Sequence, residues 1–381
     1  MNVLLAATSS ESFSGAAKCL VELAKGLRHK GHQVVVILPS HGDVENLLKQ
    51  ENIDYRVIKQ HQAWYVDIDN KNTNKYQRIK QIANRRAVNT IKKFIRNKHI
   101  DIVHENASTA YVAALAAEEC RIPVVWHLRE FLEEDLGITF FDPKYSEKIM
   151  NRATIAVAIS EAVKDKWMQC VQIPIRVIHD GLPIDNYYIK RKFEAHERLN
   201  ILIYGRIVPQ KGQLFFFRAM AKYVKLYGNE KIHCNWAGMI EDKSYYDSII
   251  AFQREKGMEE YCNYLGSVSD MKSVLRDTDI VAVCSEMEGF GRVTVESMLS
   301  GTIVIGADTG ATKELIKEGE NGYLYKHHDV DSFVDKLHNI LINQKNALQV
   351  AKRGQTSARE EYSMDHEINR ITRIYKELIG E

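Results

Sequence analysis

Short apolar runs alternate with amphipathic helical patterns along most of this chain, and this alternation constrains its fold more than any other feature. The first forty residues show the repeating unit. Residues 3–7 are an apolar run, leucines and alanines recur at helical spacing over residues 16–27, and residues 34–38 are a second run. Strands that alternate with helices favour a parallel sheet with helices on both faces. The sequence therefore predicts an α/β fold of the doubly wound type.

The alternation occurs in two series, separated by a polar and charged segment at residues 183–199. The strand-like runs of the first series are residues 3–7, 34–38, 100–104, 124–127, 154–159 and 177–179, and those of the second are 200–204, 232–237, 280–284, 303–306 and 323–325. Because 381 residues exceed what one ordinary core accommodates, we predict two domains in tandem. The predicted division is a first domain over 1–185, a linker over 186–199, a second domain over 200–360, and a helix over 361–381 that packs back on the first domain.

Composition excludes several classes of protein. The chain has 52 Lys and Arg against 50 Asp and Glu, a net charge of +2, so it lacks the overall basic field expected of a nucleic-acid-binding protein. Six cysteines are scattered without a Cys-x-x-Cys pair, which favours free thiols in a reducing compartment. No apolar run reaches the length of a membrane span. We expect a cytoplasmic protein that has no nucleic-acid partner.

Residues 75–98 (KYQRIKQIANRRAVNTIKKFIRNK) are strongly basic. Apolar residues recur there at roughly helical spacing, at Ile79, Ile82, Ala83, Val88, Ile91 and Ile95. The segment is therefore predicted as an amphipathic helix. Its basic face is either a solvated surface or a contact site for anionic lipid headgroups or an anionic acceptor substrate.

Two cations follow the first strand of the second series. Arg206 and Lys211 lie in residues 205–212 (GRIVPQKG) on either side of a proline-containing turn, and a helix is predicted directly after them. In doubly wound folds, ligands bind beyond the carboxyl ends of the strands, where a helix N-terminus adds a partial positive charge. The two side chains could therefore converge on a diphosphate. The alternative is a surface turn with two solvated cations.

Two carboxylates and two glycines follow the strand at residues 280–284. Gly289 and Gly291 would let backbone N–H groups approach a ligand closely. Glu288 lies in the same loop, and Glu296 lies on a helix predicted to begin near Phe290. Carboxylates suit the recognition of vicinal hydroxyls because they accept hydrogen bonds. The alternative is an acidic loop beside an unrelated helix-surface glutamate.

Together these two segments resemble the donor-binding domain of the family-4 retaining glycosyltransferases, which have the GT-B fold. That family has a G-R-x(4)-K-G segment followed by an E-G-F-G-x(4)-E segment, and this chain has both in that order, at residues 205–212 and 288–296. Residues 297–305 (SMLSGTIVI) extend the likeness. The resemblance implies two doubly wound, Rossmann-like domains that face a central cleft, with the acceptor substrate bound by the first domain and a nucleotide-sugar donor by the second.

The resemblance also implies roles for the matching residues of the second domain. Arg206 and Lys211 would neutralise the donor diphosphate, including charge that develops on the leaving group. Glu296 would hold the ribose hydroxyls, Glu288 would contact the transferred sugar, and Gly205 would belong to the donor site. The backbone N–H groups implied to bind the sugar hydroxyls are those of Gly289, Phe290 and Gly291.

In the first domain the resemblance implies roles for Gly15 and His127. Gly15 would belong to the loop after the first strand that approaches the diphosphate and the acceptor substrate. The family often has two adjacent glycines there, whereas Ser14 precedes Gly15 in this chain. His127 ends the strand at residues 124–127 and would face the donor sugar, although a structural role for a histidine at this position is the alternative.

The implied reaction is transfer of a hexosyl group, with retention at the anomeric carbon, from a nucleotide-diphosphate sugar. The frequency of UDP in the family favours a UDP-sugar. The implied acceptor is a hydroxyl of a lipid-linked or growing surface-polysaccharide glycan at the inner face of the membrane. Since Arg206 and Lys211 can stabilise the leaving group, we expect neither a metal nor another cofactor. Asp67 and Asp69 have the spacing of a metal motif but lie in a stretch predicted as a loop.

Other functions are compatible with a tandem α/β plan. A dinucleotide oxidoreductase would have Gly-x-Gly-x-x-Gly after the first strand, whereas residues 8–15 contain a single glycine. A nucleotide-sugar epimerase needs no acceptor substrate, and a phosphorylase releases sugar phosphate. A non-catalytic nucleotide-sugar-binding protein would not need the four charged residues of the two motifs.

Overall fold

The computed structural model describes residues 1–11, 15–68 and 74–381. In this part of the chain the strands are β1 (Asn2–Ala6), β2 (Gln33–Leu38), β3 (Asp54–Val57), β4 (Tyr65–Asp67), β5 (Ile102–Glu105), β6 (Val124–Leu128), β7 (Ile138–Phe140), β8 (Ile155–Ala158), β9 (Ile175–Val177), β10 (Leu199–Tyr204), β11 (Ile232–Ala237), β12 (Cys262–Tyr264), β13 (Ile280–Val283), β14 (Ile303–Ala307) and β15 (Tyr323–Tyr325). The helices are α1 (Gly15–His29), α2 (Val44–Gln50), α3 (Asn74–Asn97), α4 (Val112–Cys120), α5 (Glu133–Leu136), α6 (Pro143–Met150), α7 (Glu161–Trp167), α8 (Ile184–Tyr187), α9 (Gln213–Tyr227), α10 (Lys243–Glu255), α11 (Met271–Arg276), α12 (Arg292–Ser300), α13 (Thr312–Leu315), α14 (Val330–Ile342), α15 (Gln344–Glu361) and α16 (Met364–Ile379).

The chain forms two compact units. The first comprises residues 1–181 and 364–381, and the second comprises residues 182–363. Residues 186–199, which the sequence predicts as a linker, are part of the second unit. Within that segment Arg191 donates hydrogen bonds to the backbone oxygens of Leu275 and Ser300.

In the first unit the described strands form a parallel sheet in the order β3-β2-β1-β5-β6-β8-β9, and β4 pairs with β7 in a separate antiparallel ribbon. The central strands are buried along their lengths, which explains why they are continuous apolar runs in the sequence. Helix α16 completes this unit. Ile368, Ile371 and Ile374 of α16 lie in the same buried cluster as the side chains of β1 and β2.

In the second unit the described strands form a parallel sheet in the order β12-β11-β10-β13-β14-β15. Its core includes the aromatic side chains of Phe216, Phe217 and Trp236, packed edge to face.

The sequence did not predict β3 or β12. Both are outer strands of three or four residues with partly exposed side chains, so neither has the apolar run by which the central strands were found.

Helix α3 covers the basic segment, but its first half turns a different face inward from the one that its apolar residues suggest. Ile79 and Ile82 are 58% and 74% exposed, whereas Gln77 and Asn84 are buried. The amide side chains of this half hydrogen-bond to residues 61–65. These polar contacts, which a hydrophobic pattern does not reveal, orient the helix.

Candidate functional site

The loops that follow β10 and β13 lie side by side in the second unit. β10 and β13 are neighbours in the sheet, and the chain order runs outward from them, through β11 and β12 on one side and through β14 and β15 on the other. In a parallel sheet such a reversal of strand order creates a crevice between the two loops. Since each charged motif follows one of these strands, the topology brings the motifs together.

An ion pair between Lys211 and Glu288 joins the two motifs. The Nζ atom of Lys211 lies 2.6 Å from Oε1 of Glu288, and the side chains are 22% and 12% exposed. Lys211 ends a 3₁₀ turn at Pro209–Lys211, and Glu288 lies in the loop after β13. The two residues predicted to contact a diphosphate and a sugar are thus in direct contact.

The surroundings of Glu288 keep its carboxylate charged. Burial by itself would raise its pKa, but the charge and hydrogen bond of Lys211, a hydrogen bond from Ser285 and the charge of Arg206 together lower the pKa below its ordinary value. An ionised carboxylate can only accept hydrogen bonds. Glu288 is therefore suited to bind hydroxyl groups rather than to donate a proton.

Close backbone packing fixes the positions of the two loops. Gly212 has a φ of +68°, and a Cβ atom there would lie 2.0 Å from the carbonyl oxygen of Cys284. Next to this contact, the backbone nitrogen of Glu286 donates to the carbonyl oxygen of Gln210 at 2.9 Å. Only glycine fits at position 212, because any side chain would push the loops apart.

The loop after β14 supports Glu288 from another direction. The backbone nitrogen of Ala311 donates to the carbonyl oxygen of Glu288 at 3.0 Å. Gly310 has a φ of +50°, and a Cβ atom there would lie 2.9 Å from the backbone nitrogen and oxygen of Glu288. The main chain of Glu288 is therefore held before any ligand binds.

Arg206 has a partner that sequence analysis did not identify. Its Nη1 atom lies 2.8 Å from Oε2 of Glu241, with the side chains 47% and 28% exposed. An isolated bridge between Ile207 and Ile240 aligns the two residues. Glu241 follows β11, the strand next to β10. Its position just after the carboxyl end of a strand is the sequence feature by which it could have been identified. Both predicted diphosphate-binding cations are thus paired with carboxylates.

The N-terminus of α9, expected to add positive charge at the diphosphate, is partly occupied. The backbone nitrogen of Leu214 donates to the hydroxyl of Tyr245 at 2.9 Å. The side chain of Gln213 donates to the carbonyl oxygen of Arg206 at 2.8 Å. At this helix end, therefore, the N–H group of Leu214 already has a partner within the protein.

Glu296 lies on α12 and is 9% exposed. Its Oε2 atom accepts a hydrogen bond from the hydroxyl of Tyr204 at 3.2 Å, and its Oε1 atom lies 3.7 Å from Nε of Arg292. Burial and then the negative charge of Glu296 raise the pKa of both Tyr204 and Tyr187. The phenols therefore stay protonated and able to donate beside this carboxylate.

Residues 289–291 connect Glu288 to α12. Phe290 is buried, with its ring packed edge to face against Tyr362 at 5.8 Å. Gly291 is the N-cap of α12 with a φ of +91°, so the helix begins at Arg292, two residues after Phe290. Gly205 directly follows β10, and its nitrogen donates to the carbonyl oxygen of Ala237 at 3.0 Å.

Gly15 is the exposed first residue of α1 in the first unit. A Cβ atom on it would meet no described atom within 4 Å, and Ser14 lies outside the described residues. A cavity of about 230 Å³ lies beyond the carboxyl ends of β1 and β2. It is lined by residues 7–11, 39–40, 60–65 and 109–112. Its polar lining consists of hydroxyls and amides with Glu11 and His61, and none of these residues is a lysine or an arginine.

His127 lies in β6 and is fully buried. Its Nδ1 atom lies 3.1 Å from Nε2 of His104 and 3.2 Å from Nη2 of Arg129. Burial, followed by the positive charge of Arg129 and then the influence of His104, lowers the pKa of His127 well below its ordinary value. The imidazole is therefore neutral near pH 7. Sequence analysis did not identify His104 or Arg129 as its partners.

The described residues contain no group of three or more His, Cys, Asp or Glu side chains arranged to hold a metal ion. Asp67 lies in β4, and Asp69 lies outside the described residues. The six cysteines are free thiols. Among the helices described, none has both the length and the apolar character needed to cross a bilayer.

Two family models match consecutive parts of the chain. Residues 13–186 match the model described as Glycosyltransferase Family 4, and residues 187–357 match the model described as Glycosyl transferases group 1. The chain belongs to the glycosyltransferases that these two models describe. The membership confirms the resemblance that rested on the motifs at residues 205–212 and 288–296.

Related proteins and solved structures agree with this assignment. The glycosyltransferase is 25% identical to the phosphatidyl-myo-inositol mannosyltransferase of Mycolicibacterium smegmatis, over 96% of this chain and 91% of the relative. It is 24% identical to the lipopolysaccharide core biosynthesis mannosyltransferase LpcC of Rhizobium leguminosarum bv. viciae, over 62% of this chain and 68% of the relative. The crystal structure of Anabaena HepE in complex with UDP matches with a TM-score of 0.82 at 21% identity, covering 99% of this chain and 100% of HepE. The predicted α/β fold of GT-B type, with two Rossmann-like halves, is confirmed.

Proposed function

We propose that this glycosyltransferase moves a hexosyl group, with retention at the anomeric carbon, from a nucleotide-diphosphate sugar to a hydroxyl of a glycan. The observation that carries the proposal is the contact between Lys211 and Glu288 at the strand-order reversal of the second unit, with Arg206 near enough to affect the pKa of Glu288. A nucleotide-diphosphate sugar offers anionic oxygens to the cations and hydroxyl groups to the carboxylate. The pair combines both kinds of recognition.

Lys211 and Arg206 act on the leaving group. As the glycosidic bond breaks, negative charge grows on the departing nucleoside diphosphate, and cations already in place stabilise the transition state. A diphosphate oxygen replaces Glu288 as the partner of Lys211, and the Glu288 carboxylate then accepts hydrogen bonds from the sugar. Arg206 turns from Glu241 to the diphosphate, an exchange that its half-exposed side chain permits. This handling of charge requires no metal ion or other cofactor.

The nucleoside binds near Glu296. Its carboxylate is suited to accept hydrogen bonds from the two ribose hydroxyls, and Tyr204 and Arg292 hold it in place. We favour UDP as the nucleotide. The HepE structures were solved with UDP and with UDP-glucose, and these ligands support the choice.

A thermal-shift screen tests the donor. The protein is heated with UDP, GDP, ADP, TDP or CMP, each with magnesium or with EDTA. We expect one nucleoside diphosphate, UDP, to raise the melting temperature equally in both conditions, because a ligand that binds the native state stabilises it. Arg206→Ala should lose this shift. Arg254→Ala, which removes an arginine that is 73% exposed on α10, should keep it.

The absence of any shift would contradict the donor assignment, and a shift that depends on magnesium would contradict the metal-free mechanism. Product analysis tests the reaction itself. Proton NMR of the glycoside formed should show the anomeric configuration of the donor. An inverted product would refute retention, and conversion of the donor without an acceptor substrate would indicate an epimerase.

We place the acceptor substrate in the cavity of the first unit lined by residues 7–11, 39–40, 60–65 and 109–112. The hydroxyl and amide groups of this lining, with the carboxylate of Glu11, suit an uncharged, hydroxyl-rich sugar better than a phosphate, because no lysine or arginine is among the described lining residues. LpcC acts in lipopolysaccharide core biosynthesis, and the M. smegmatis relative is a phosphatidyl-myo-inositol mannosyltransferase. Both names support a lipid-linked or surface-polysaccharide glycan as the acceptor.

Peripheral contact with an anionic membrane, at the cytoplasmic face, is part of this proposal. Helix α3 has an apolar tip, formed by Tyr76, Ile79 and Ile82, whose side chains are 71%, 58% and 74% exposed. Arg86 follows Ile82 by four residues and Ile79 by seven, and Lys93 follows Arg86 by seven. These cations therefore continue the helix face of the two isoleucines. An apolar tip beside exposed cations suits the boundary between acyl chains and anionic headgroups.

Two other cations of α3 contribute less to this face, because Arg85 and Lys92 are both paired with Glu119. Co-sedimentation with phosphatidylglycerol vesicles tests the contact. Ile79→Ser with Ile82→Ser should reduce binding, whereas Ile342→Ser, at an isoleucine that is 60% exposed on α14, should not. Equal vesicle binding by the wild type, the double variant and Ile342→Ser would exclude the apolar tip as the contact.

A further inference from the structure

A row of hydrogen-bonded side chains in the first unit runs from α16 to His127. The hydroxyl of Tyr375 lies 2.7 Å from Nδ1 of His104, and Nε2 of His104 lies 3.1 Å from Nδ1 of His127. Nη2 of Arg129 lies 3.2 Å from the same nitrogen of His127. Tyr375 and the two histidines are 0% exposed, and Arg129 is 8% exposed. Solvent therefore does not compete for these contacts.

Arg129 determines which nitrogen of His127 carries the proton. A guanidinium group can only donate hydrogen bonds, so Nδ1 of His127 must accept. A neutral imidazole has one N–H group, which in His127 is therefore on Nε2. Arg129 is itself held in place, because it forms a buried ion pair with Asp180 and its Nε atom donates to the carbonyl oxygen of Asn106 at 2.9 Å.

The same reasoning extends to His104 and Tyr375. Because Nδ1 of His127 accepts, Nε2 of His104 must be the donor in the contact between the two rings. Nδ1 of His104 then has a lone pair, which accepts the hydroxyl proton of Tyr375. Burial and then the charge of Arg129 lower the pKa of His104 to about 3, and both rings are therefore neutral near pH 7. One proton arrangement fits every contact in the row, with the single lone pair of His127 Nδ1 shared by two donors, Nε2–H of His104 and Nη2–H of Arg129.

The row leaves one donor unused. Among the residues that the structure describes, Nε2 of His127 is buried and has no hydrogen-bond partner. Leaving a buried N–H group unpaired is unfavourable, so such a group in a native protein calls for a specific explanation, of which a catalytic role is one. All other nitrogens of the two rings are paired. The Nε2–H group of His127 is thus the one donor of the two rings that a further acceptor can pair with.

We propose that Tyr375 and His104 are positioning residues that, together with Arg129, hold His127 as its Nε2–H tautomer and so present a fixed hydrogen-bond donor to a substrate oxygen. The proposal rests on the proposed function and on the role that the sequence analysis implied for His127, contact with the donor sugar. It makes His127 a donor of a hydrogen bond and not a general base. It also gives α16, through Tyr375, a role in the reaction beyond packing.

The tautomers can be observed directly, without any substrate. In protein labelled with ¹⁵N-histidine, two-bond ¹H–¹⁵N correlation spectra distinguish the protonated from the unprotonated ring nitrogen. We expect His104 and His127 of the wild type to be neutral with the proton on Nε2. Tyr375→Phe removes one hydroxyl and should give His104 a mixture of tautomers, with a shift in the His127 signals. Unchanged tautomers of both rings in this variant would overturn the proposal.

Kinetics then test whether the row matters for turnover. Tyr375→Phe should lower kcat about three- to tenfold, the effect of one net hydrogen bond, with the nucleotide-induced thermal shift unchanged. His104→Gln, whose amide can still donate to His127, should retain more activity than His104→Leu. Ile371→Val removes a buried methyl group from α16 and controls for stability, so it should leave kcat and both tautomers unchanged.

The outcomes separate this proposal from the proposed function. If Tyr375→Phe and Ile371→Val lower kcat equally at matched stability, Tyr375 is only a packing residue and the inference is wrong. If the wild type shows no nucleotide-induced shift, the proposed donor is wrong, while the spectra still decide the tautomers. If His127→Ala leaves kcat unchanged although the wild-type tautomers are as expected, the row does not serve a substrate and the inference is overturned.

Discussion

Glu105 accepts a hydrogen bond from the backbone nitrogen of Ala114 at 2.6 Å, at a position in the first unit that is closed to solvent. Its Oε2 atom has no hydrogen-bond partner within the described part of the chain. Burial raises the pKa of this carboxyl to about 8 from an ordinary value of 4.5. The folded protein therefore holds the proton more tightly than the unfolded chain does.

This pKa difference predicts how stability depends on pH. For a carboxyl whose pKa is higher in the folded state, the contribution to stability is complete below the unfolded pKa, near 4.5, and is lost as the pH rises to about 8. Each pKa unit of difference corresponds to about 1.4 kcal/mol. Glu105→Gln should flatten this part of the pH profile, as measured by urea unfolding at a series of pH values. Glu118→Gln, at a half-exposed position of α4, should not, and parallel profiles for Glu105→Gln and the wild type would contradict the prediction.

The Lys211–Glu288 pair predicts different losses for its two members. Lys211→Ala removes a diphosphate-binding cation and should weaken nucleotide binding. Glu288→Gln should keep that binding but lower kcat at least tenfold, because a neutral amide accepts hydrogen bonds from sugar hydroxyls less strongly than a carboxylate does. Isothermal titration calorimetry with UDP and initial-rate kinetics provide the two measurements. If Glu288→Gln lost UDP binding as completely as Lys211→Ala, the assignment of Glu288 to the sugar would be wrong.

Stability gives an independent test of this pair. Each single variant leaves a partly buried charge without its partner, at a cost of about 1–3 kcal/mol, whereas Lys211→Ala combined with Glu288→Gln leaves neither charge. The double variant should therefore lose less stability than the sum of the two single losses, as measured by a double-mutant cycle. Strict additivity would mean that the two side chains do not interact in solution.

The contact between Arg206 and Glu241 predicts a gain in affinity. Since Arg206 must leave Glu241 to reach a diphosphate, Glu241→Gln should tighten UDP binding. The pair is partly exposed, and such pairs contribute about 0.2–1 kcal/mol, so the gain should be at most about fivefold. Calorimetry measures it. Glu259→Gln, at an exposed carboxylate on the same unit, should have no effect, and weaker binding by Glu241→Gln would show that Glu241 supports the site instead.

The hydrogen bonds of Asn84 predict that its substitution weakens binding of the acceptor substrate and not of the donor. Its side chain bonds to the backbone nitrogen and oxygen of His61, at 2.7 and 2.9 Å, and to the hydroxyl of Tyr111 at 2.8 Å. Asn84→Ala should lower the free energy of unfolding by about 1–3 kcal/mol and raise the KM for the acceptor several-fold, because residues 60–65 line the proposed acceptor cavity. The affinity for UDP should not change. Asn89→Ala, at an exposed position of α3, is the control, and an unchanged KM for Asn84→Ala would argue against the cavity.

The repeated strand–helix pattern was sufficient to predict the fold, because central strands of a parallel sheet are continuous apolar runs. It was also sufficient to find Lys211 and Glu288, since both belong to motifs at strand ends. Their contact is a consequence of the sheet order, in which β10 lies beside β13. Glu241 was missed for the same reason, because its proximity to Arg206 depends on the pairing of β11 with β10.

Buried polar contacts were the other feature that the sequence did not reveal. Asn84 and Gln77 are inside while Ile79 and Ile82 are outside, because hydrogen bonds to residues 61–65 compensate for the burial of the amides. The row from Tyr375 to His127 joins residues that are 271 and 23 positions apart, which no local pattern could associate.

The first unit is discontinuous in the chain, and this has a consequence for how the protein is made. On the ribosome, residues 182–363 emerge as one uninterrupted stretch and can begin to fold as soon as they are free of the exit tunnel. Residues 1–181 emerge earlier, but Ile368, Ile371 and Ile374 of their core are synthesised only after the second unit. The half of the molecule that is translated first can therefore complete its core only after the whole second unit has been synthesised.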